Sequence, residues 1–367
     1  MKIALVVGAR PNFMKVGPVY FALKKHSAYN PLLVHTGQHY DENLSQIFFQ
    51  QLEFPEPDNY LGVGSGLHGE QTAKVMIAFE KFLLEKKPDF VLVAGDVNST
   101  IACAIDAVKL HIPVAHLEAG LRSFDRRMPE EINRIVTDCV SSILLTPSKD
   151  ADVNLRNEGV SEEKIFFVGN AMIDSLRKHE EKAEVSRILD DLKLSPHSYA
   201  LITLHRPSNV DDRSNFDIIL SAFQDISSDL SLIFPIHPRS KKQLKKFDLL
   251  GKAESISNLH LLDPVGYLDF LKLEKNAKVV LTDSGGIQEE TTVFNVPCLT
   301  LRENTERPIT IKLGTNQLVN INKDEIVQNV DDILQGNSKM GTIPPLWDGH
   351  TAERVVDVFN NFDYKFS

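Results

Sequence analysis

Acidic residues, histidines and paired glycines recur at one kind of place in this 367-residue chain: directly after a short apolar run. Asp96 follows Val91-Leu92-Val93-Ala94-Gly95, and Glu118 follows Val114-Ala115-His116-Leu117. An aspartate leading into Asn98-Ser99-Thr100 suits a helix cap. A glutamate has no such ordinary job, so Glu118 points toward chemistry. A third acidic group, Glu130-Glu131 after Pro129, suits the first turn of a helix. Capping does not explain its company with Asp96 and Glu118. Three carboxylates at one site repel, and some then keep their protons toward neutrality. One site can thereby hold a proton donor and a proton acceptor.

Other junctions look made for an anion. In Gly8-Ala9-Arg10-Pro11-Asn12-Phe13-Met14-Lys15 a glycine ends an apolar run and a helix opens. Arg10 and Lys15 beside helix amides would form an anion site; the alternative is a tight turn with solvated charges. The spacing is neither GxGxxG nor a P-loop. His205-Arg206 and His237-Pro238-Arg239 each follow a strand-like run. Histidine beside arginine at two strand ends suggests anion recognition, against a merely structural or surface role. Ser284-Gly285-Gly286 lies between a buried strand and a helix, with Glu290 about one turn further on. The glycines would let a diphosphate approach the backbone, and Glu290 could accept from a ribose hydroxyl. The alternative is a glycine turn with a favourable acidic first turn. The charged loop Arg302–Pro308, which includes Arg307, is either a lid or an ion-paired loop. Lys241–Lys246 reads as a solvated helix face.

Alternating strands and helices must position these junctions. Lys2–Val7, Pro31–Thr36, Phe90–Ala94, Val114–Leu117, Ile143–Thr146 and Ile165–Val168 read as strands, with amphipathic stretches between them. The alternation restarts at Tyr199–Leu204, after a polar stretch rich in Lys and Glu, and runs to Leu318–Val319. This predicts an α/β fold of two Rossmann-like, doubly wound domains facing a cleft. The expected domains are residues 1–170, completed by a C-terminal helix within 350–367, and residues 171–349. In such sheets ligands bind beyond the carboxyl ends of the strands.

Composition narrows the class. Lys and Arg number 40 against 50 Asp and Glu, for a net charge of −10. That excludes non-specific grip on nucleic acid while leaving room for a local anion site. Cys103, Cys139 and Cys298 are scattered, so neither a disulfide framework nor a metal site is expected; their apolar neighbours suggest buried thiols. The opening apolar run stops at Gly8, too short for a signal peptide or a membrane span. The expectation is a soluble, cytoplasmic protein with no membrane partner.

Seven ordered motifs then carry a resemblance over essentially the whole chain. They are GARPNFMK at Gly8–Lys15, TGQHYD at Thr36–Asp41, GDVNST at Gly95–Thr100 and HLEAGLRS at His116–Ser123. MPEEINR at Met128–Arg134, DSGGIQEE at Asp283–Glu290 and TERP at Thr305–Pro308 complete them. Together they resemble the non-hydrolysing UDP-N-acetylglucosamine 2-epimerases. The resemblance implies the GT-B glycosyltransferase-like fold, a homodimer, no cofactor, and reversible conversion of UDP-GlcNAc to UDP-ManNAc for surface polysaccharide precursors. It further implies elimination of UDP to 2-acetamidoglucal and re-addition with protonation on the other face of C2. Carried over, Asp96, Glu118 and Glu130 are the acid/base set, with His205 as a further catalytic residue at the diphosphate. Arg10, Lys15, Arg134, Arg206, His237, Ser284, Gly285, Gly286, Glu290 and Arg307 would bind the UDP-sugar. Gln38, His39 and Gln71 fall at the allosteric site of some bacterial members; an Arg-Gln pair found there reads Glu70-Gln71 here. Two alternatives share this pattern: a 2-epimerase of a modified UDP-N-acetyl sugar, and a GT-B glycosyltransferase.

Overall fold

The strands are continuous apolar runs rather than alternating ones; FVLVA at Phe90–Ala94 is buried at every residue. Such strands need cover on both faces, which is the condition of a parallel sheet flanked by helices. The computed structural model describes residues 1–37 and 53–362, apart from the side chain of Arg10. It contains two parallel sheets, each clothed in helices.

The first sheet has the order β3-β2-β1-β4-β5-β6-β7. Its strands are β1 Lys2–Val7, β2 Asn30–His35, β3 Asn59–Tyr60, β4 Phe90–Ala94, β5 Val114–Leu117, β6 Ile143–Thr146 and β7 Ile165–Phe167. The second has the order β10-β9-β8-β11-β12-β13. Its strands are β8 Tyr199–Thr203, β9 Ser231–Pro235, β10 Leu259–Leu262, β11 Val279–Thr282, β12 Cys298–Leu301 and β13 Asn316–Val319. The expected doubly wound α/β architecture is present twice. Each sheet reverses its winding once, between β1 and β4 and between β8 and β11. At such a switch point the loops leave in opposite directions and open a crevice at the strand ends. Gly8–Lys15 and Gly95-Asp96 flank the first; His205 and Asp283-Ser284 flank the second.

Chain contacts define two compact units. One comprises Met1–Lys178 and the segment from Pro345; the other is His179–Pro344. The division falls inside helix Ala171–Glu184, eight residues beyond the expected boundary after residue 170. The reason is that the helix start is bonded into the first unit. Ser175 Oγ donates to the Met14 carbonyl, and Asp174 accepts from the amides of Thr351 and Ala352. The final helix, Thr351–Asn361, belongs to that unit too. The first unit buries Val75, Phe79, Val91, Val93 and Ala104 on one face of its sheet. The second buries Phe216, Phe223, Leu232, Phe234 and Leu299. One expectation fails: Cys139 is exposed, whereas Cys103 and Cys298 are buried. Helix Pro129–Val140 buries a polar face, Glu131, Asn133, Arg134, Thr137 and Asp138, so the apolar neighbours of Cys139 do not mark a core-facing side. Among the described residues no helix is long and apolar enough to cross a membrane, and no group of His, Cys, Asp and Glu could hold a metal ion.

Candidate active site

In the first unit the strand ends bring cations to the carboxylates. Lys15, on the helix after β1, is ion-paired with Glu118 after β5. Both are about nine-tenths buried. Glu118 has φ of +73°, a left-handed backbone that is uncommon for a glutamate. Gly95 sits between them with φ of +67°; a Cβ there would lie 3.1 Å from Lys15 Nζ and 3.3 Å from Glu118 Oε2. Only glycine fits that close approach without displacing the pair.

Asp96 does not cap the following helix, whose N-cap is Val97. Its carboxylate instead takes a hydrogen bond from Arg134 Nη1. Arg134 also donates from Nη2 to Glu131 Oε2 at 2.6 Å. Asn133 Nδ2 holds the Asp96 carbonyl at 2.8 Å. The carboxylates therefore do not simply crowd one another: two of the three are met by a cation of their own. Glu130 lies one turn before Arg134, on the same helix face. It is half-buried and has no hydrogen-bond or ion-pair partner among the described residues.

Glu131 explains the loop beside this group. Its carboxylate accepts from the amides of Ser123 and Phe124 and from Ser123 Oγ, as well as from Arg134. Burial pushes its pKa up, but these donors outweigh burial and hold it below the ordinary range. His116 and Asp138 form a further layer. His116 Nδ1 lies 2.6 Å from Asp138 and Nε2 lies 2.8 Å from the Gly95 carbonyl. Asp138 also meets Arg122 and the Gly120 amide. Burial raises the Asp138 pKa; His116 and Arg122 bring it down past the usual value.

In the second unit Asp283 organises the switch point. It is fully buried after β11 and accepts from the amides of His205 and Arg206. Its Oδ1 lies 3.0 Å from His205 Nδ1. Burial works to raise its pKa, but the contact with His205 prevails and lowers it. With Nδ1 turned to the carboxylate, the His205 ring presents Nε2 outward, and its side chain is 40% exposed. The His237 ring lies 5.5 Å away; its Nδ1 accepts from the Arg239 amide and caps a helix. Ser284 is the N-cap of helix Gly285–Phe294, yet its side chain makes no capping bond. That leaves its hydroxyl for another acceptor or donor, beside helix amides that favour an anion. Gly286 is the second residue of the same helix.

Arg302, Glu306 and Arg307 form a buried ion-paired loop, with Glu306 meeting Arg206, Arg302 and Arg307. Arg307 Nε also lies 2.8 Å from Glu289. The three arginines outweigh the effect of burial and hold Glu306 well below the carboxylate range. A Cβ on Gly285 would lie 2.4 Å from Arg307 Nη1, so glycine is what admits the guanidinium against the helix start. Glu290, 3% exposed, accepts from Tyr267 Oη at 2.9 Å. Gln71 is buried and holds Asn98 at 2.9 Å and the Gly64 carbonyl at 3.0 Å. Gln38 and His39 lie outside the described residues, as does the Arg10 side chain.

Comparison with known proteins adds the family. The UDP-N-acetylglucosamine 2-epimerase family model matches residues 21–360. The chain belongs to that family. It is 46% identical to UDP-N-acetylglucosamine 2-epimerase from Methanocaldococcus jannaschii, over 99% of this chain and all of that one. A solved structure of the M. jannaschii enzyme, in complex with UDP-GlcNAc and UDP, superposes with a TM-score of 0.92 at 45% identity, covering 99% of this chain and 100% of that one. The chain is also 42% identical to UDP-2,3-diacetamido-2,3-dideoxy-D-glucuronate 2-epimerase from Pseudomonas aeruginosa, over 90% of this chain and 91% of that one. As a member of the 2-epimerase family it is an isomerase on a GT-B-like fold. The supporting residues Glu131, Asp138, His116 and Asp283 escaped the sequence reading as participants. Their partners lie 3 to 78 residues away, and Asp138 alone of the four stands outside the quoted motifs.

Proposed function

We propose that the chain interconverts UDP-GlcNAc and UDP-ManNAc by eliminating UDP and adding it back with protonation on the other face of C2. The neutral intermediate would be 2-acetamidoglucal. The observation that carries this reading is the carboxylate set of the first unit: Glu118 paired with Lys15 beside Gly95, Asp96 paired with Arg134, and Glu130 one turn before Arg134 without such a partner. Epimerisation needs groups that take a proton from one face and return it to the other. A mixture of cation-paired and unpaired carboxylates supports those two tasks. The second unit supports departure of the UDP anion through Ser284, the Gly285-Gly286 amides, His205 and Arg206. Glu290 would accept from the ribose. Arg307, Arg134 and His237 then act by holding neighbouring groups, while Lys15 serves Glu118. We read the chain as a cytoplasmic homodimer that needs no cofactor and serves surface polysaccharide synthesis.

The sugar has one specific competitor. Similarity to a diacetamido-glucuronate 2-epimerase favours a second reading, the same reaction on a modified UDP-N-acetyl sugar. A transferase has no such support: the two sequence relatives named above are 2-epimerases. Proton NMR of each UDP-sugar with the enzyme in D₂O tests the proposal. Deuterium should enter C2 as the epimer forms. Turnover in Asp96→Asn, Glu118→Gln and Glu130→Gln should drop by about 10²-fold or more with substrate still bound. Exchange-free epimerisation, or full activity in all three variants, would sink it.

A further inference from the structure

The turn that carries Asp96 is held from the core side by a ring that the reaction above does not use. His116 is the third residue of β5 and has no exposed surface. Its Nε2 lies 2.8 Å from the carbonyl of Gly95, the residue after β4. A carbonyl oxygen only accepts, so Nε2 carries a hydrogen. Its Nδ1 lies 2.6 Å from Asp138 Oδ1. Two lone pairs do not approach so closely, and a hydrogen lies there as well. Asp138 is itself fixed, because its Oδ2 accepts from the Gly120 amide at 3.0 Å and meets Arg122 at 2.7 Å. One carboxylate thus gathers residues 116, 120 and 122, and Glu118 stands between the first two.

Gly95 explains why such a clamp matters. The close approach of Lys15 and Glu118 requires glycine there, but glycine also leaves the following peptide free to turn over, since no Cβ resists the change of ψ. The Gly95 amide is bonded to the Leu117 carbonyl at 3.1 Å, and the Gly95 carbonyl to His116. The C=O and N–H of one trans peptide point in opposite directions, and no described peptide is cis. With the carbonyl drawn inward by the ring, the Asp96 amide faces away from it. That amide has no acceptor among the described residues. The rest of Asp96 is held from the next helix, its carbonyl by Asn133 and its carboxylate by Arg134.

We propose that His116 is a positioning residue: pinned by Asp138, its ring holds the Gly95–Asp96 peptide in one orientation, so that the Asp96 amide and carboxylate are both presented to the sugar. This rests on the reading of Asp96 as one of the proton-transfer groups. The same Asp138 braces the chain on both sides of Glu118, so one buried unit sets the turns of two of the three carboxylates. Loss of the Nε2 donor lets the peptide turn over. A carbonyl oxygen then stands where the amide stood, and the Asp96 side chain shifts with it.

Two carboxamide variants of the full chain separate the two bonds of the ring. His116→Gln places an NH₂ near the Nε2 position and keeps the bond to Gly95; His116→Asn places one near Nδ1 and keeps only the bond to Asp138. Steady-state kinetics should find kcat of His116→Asn lowered about 10²-fold with KM within about threefold, and kcat of His116→Gln restored to within about tenfold of wild type. His116→Met, which fills the space without a donor, should fall with His116→Asn. Each variant should keep the melting transition of the first unit. In ¹⁵N-TROSY spectra the Asp96 amide should move in His116→Asn and stay near its wild-type place in His116→Gln. Equal kcat in those two variants, or wild-type kcat in His116→Asn, overturns the proposal. A wild-type ring without hydrogen on Nε2 in long-range ¹⁵N spectra overturns it too, and that measurement needs no variant to fold. Failure of the wild type to exchange deuterium into C2 of any UDP-N-acetyl sugar would instead overturn the reading of Asp96, while the amide shifts still judge the clamp.

Discussion

Glu131 and Asp283 do their work on other residues. Glu131 collects two loop amides, a hydroxyl and the Arg134 guanidinium that reaches Asp96. Replacing it by Gln leaves Arg134 buried with half its charge unmet, which should cost about 3 kcal/mol in chemical unfolding at pH 7. The acid side carries a signature of its own. The folded Glu131 carboxyl lies below its ordinary value, so its stabilisation is complete above about pH 4.3 and is lost as pH falls through the folded value. Glu131→Gln should therefore lose stability less steeply than wild type between pH 5 and pH 2. Asp283→Asn addresses the other unit. It should leave the His205 ring without its anchor and lower kcat by about 10²-fold, with a smaller change in KM. An unchanged kcat would mean that His205 needs no fixed orientation. The residues visible in the sequence were those standing at strand ends, because a polar group after an apolar run is a local signal. Their pairings are not local, because Lys15 and Glu118 meet across 103 positions and His205 and Asp283 across 78.

Elements were more legible than pairings, for a physical reason. A strand buried on both faces writes its whole length as apolar residues, so β1, β4, β5, β8 and β11 could be read directly. The two-residue strand β3 has no such run and was not foreseen. Strand order was also beyond a local pattern, and it is the order that makes β1/β4 and β8/β11 the switch points. Gly285 joins element to site. It opens helix Gly285–Phe294 with Arg307 pressed against it, and Arg307 is held by Glu306 and Glu289. Gly285→Ala places a methyl group 2.4 Å from Nη1 of a guanidinium that cannot simply swing away. Calorimetry should find UDP binding weakened at least tenfold, about 1.4 kcal/mol, while the first unit melts as before. Wild-type affinity in that variant would argue that the anion does not use this helix start.

At the scale of the molecule, the chain closes its first unit with its own C-terminal segment. Helix Thr351–Asn361 begins at His350, which provides no side-chain cap. Asp174 supplies one from 177 residues away, accepting from Thr351 N at 3.0 Å and Ala352 N at 2.7 Å. An N-cap needs only an oxygen at the helix start, and here the fold rather than the local sequence provides it. Trp347, 2% exposed, donates to the Pro147 carbonyl, Tyr29 bonds Asn360, and Phe359 meets the edge of Phe90. Sequence separation therefore misrepresents stability: the first unit is not complete at residue 178. Removing residues from Pro345 onward strips apolar cover from Phe90 and leaves the Trp347 and Asp174 sites open. Differential scanning calorimetry should then lose or sharply lower the transition of the first unit. The second unit has its own sheet and core within His179–Pro344, so UDP should still raise its melting temperature. Asp174→Ala is the milder form of the same cut, expected to cost about 2 kcal/mol, because two buried amides lose their acceptor together. If the truncated chain instead melted in one unshifted transition, the C-terminal helix would be an ornament on the first unit rather than part of its core.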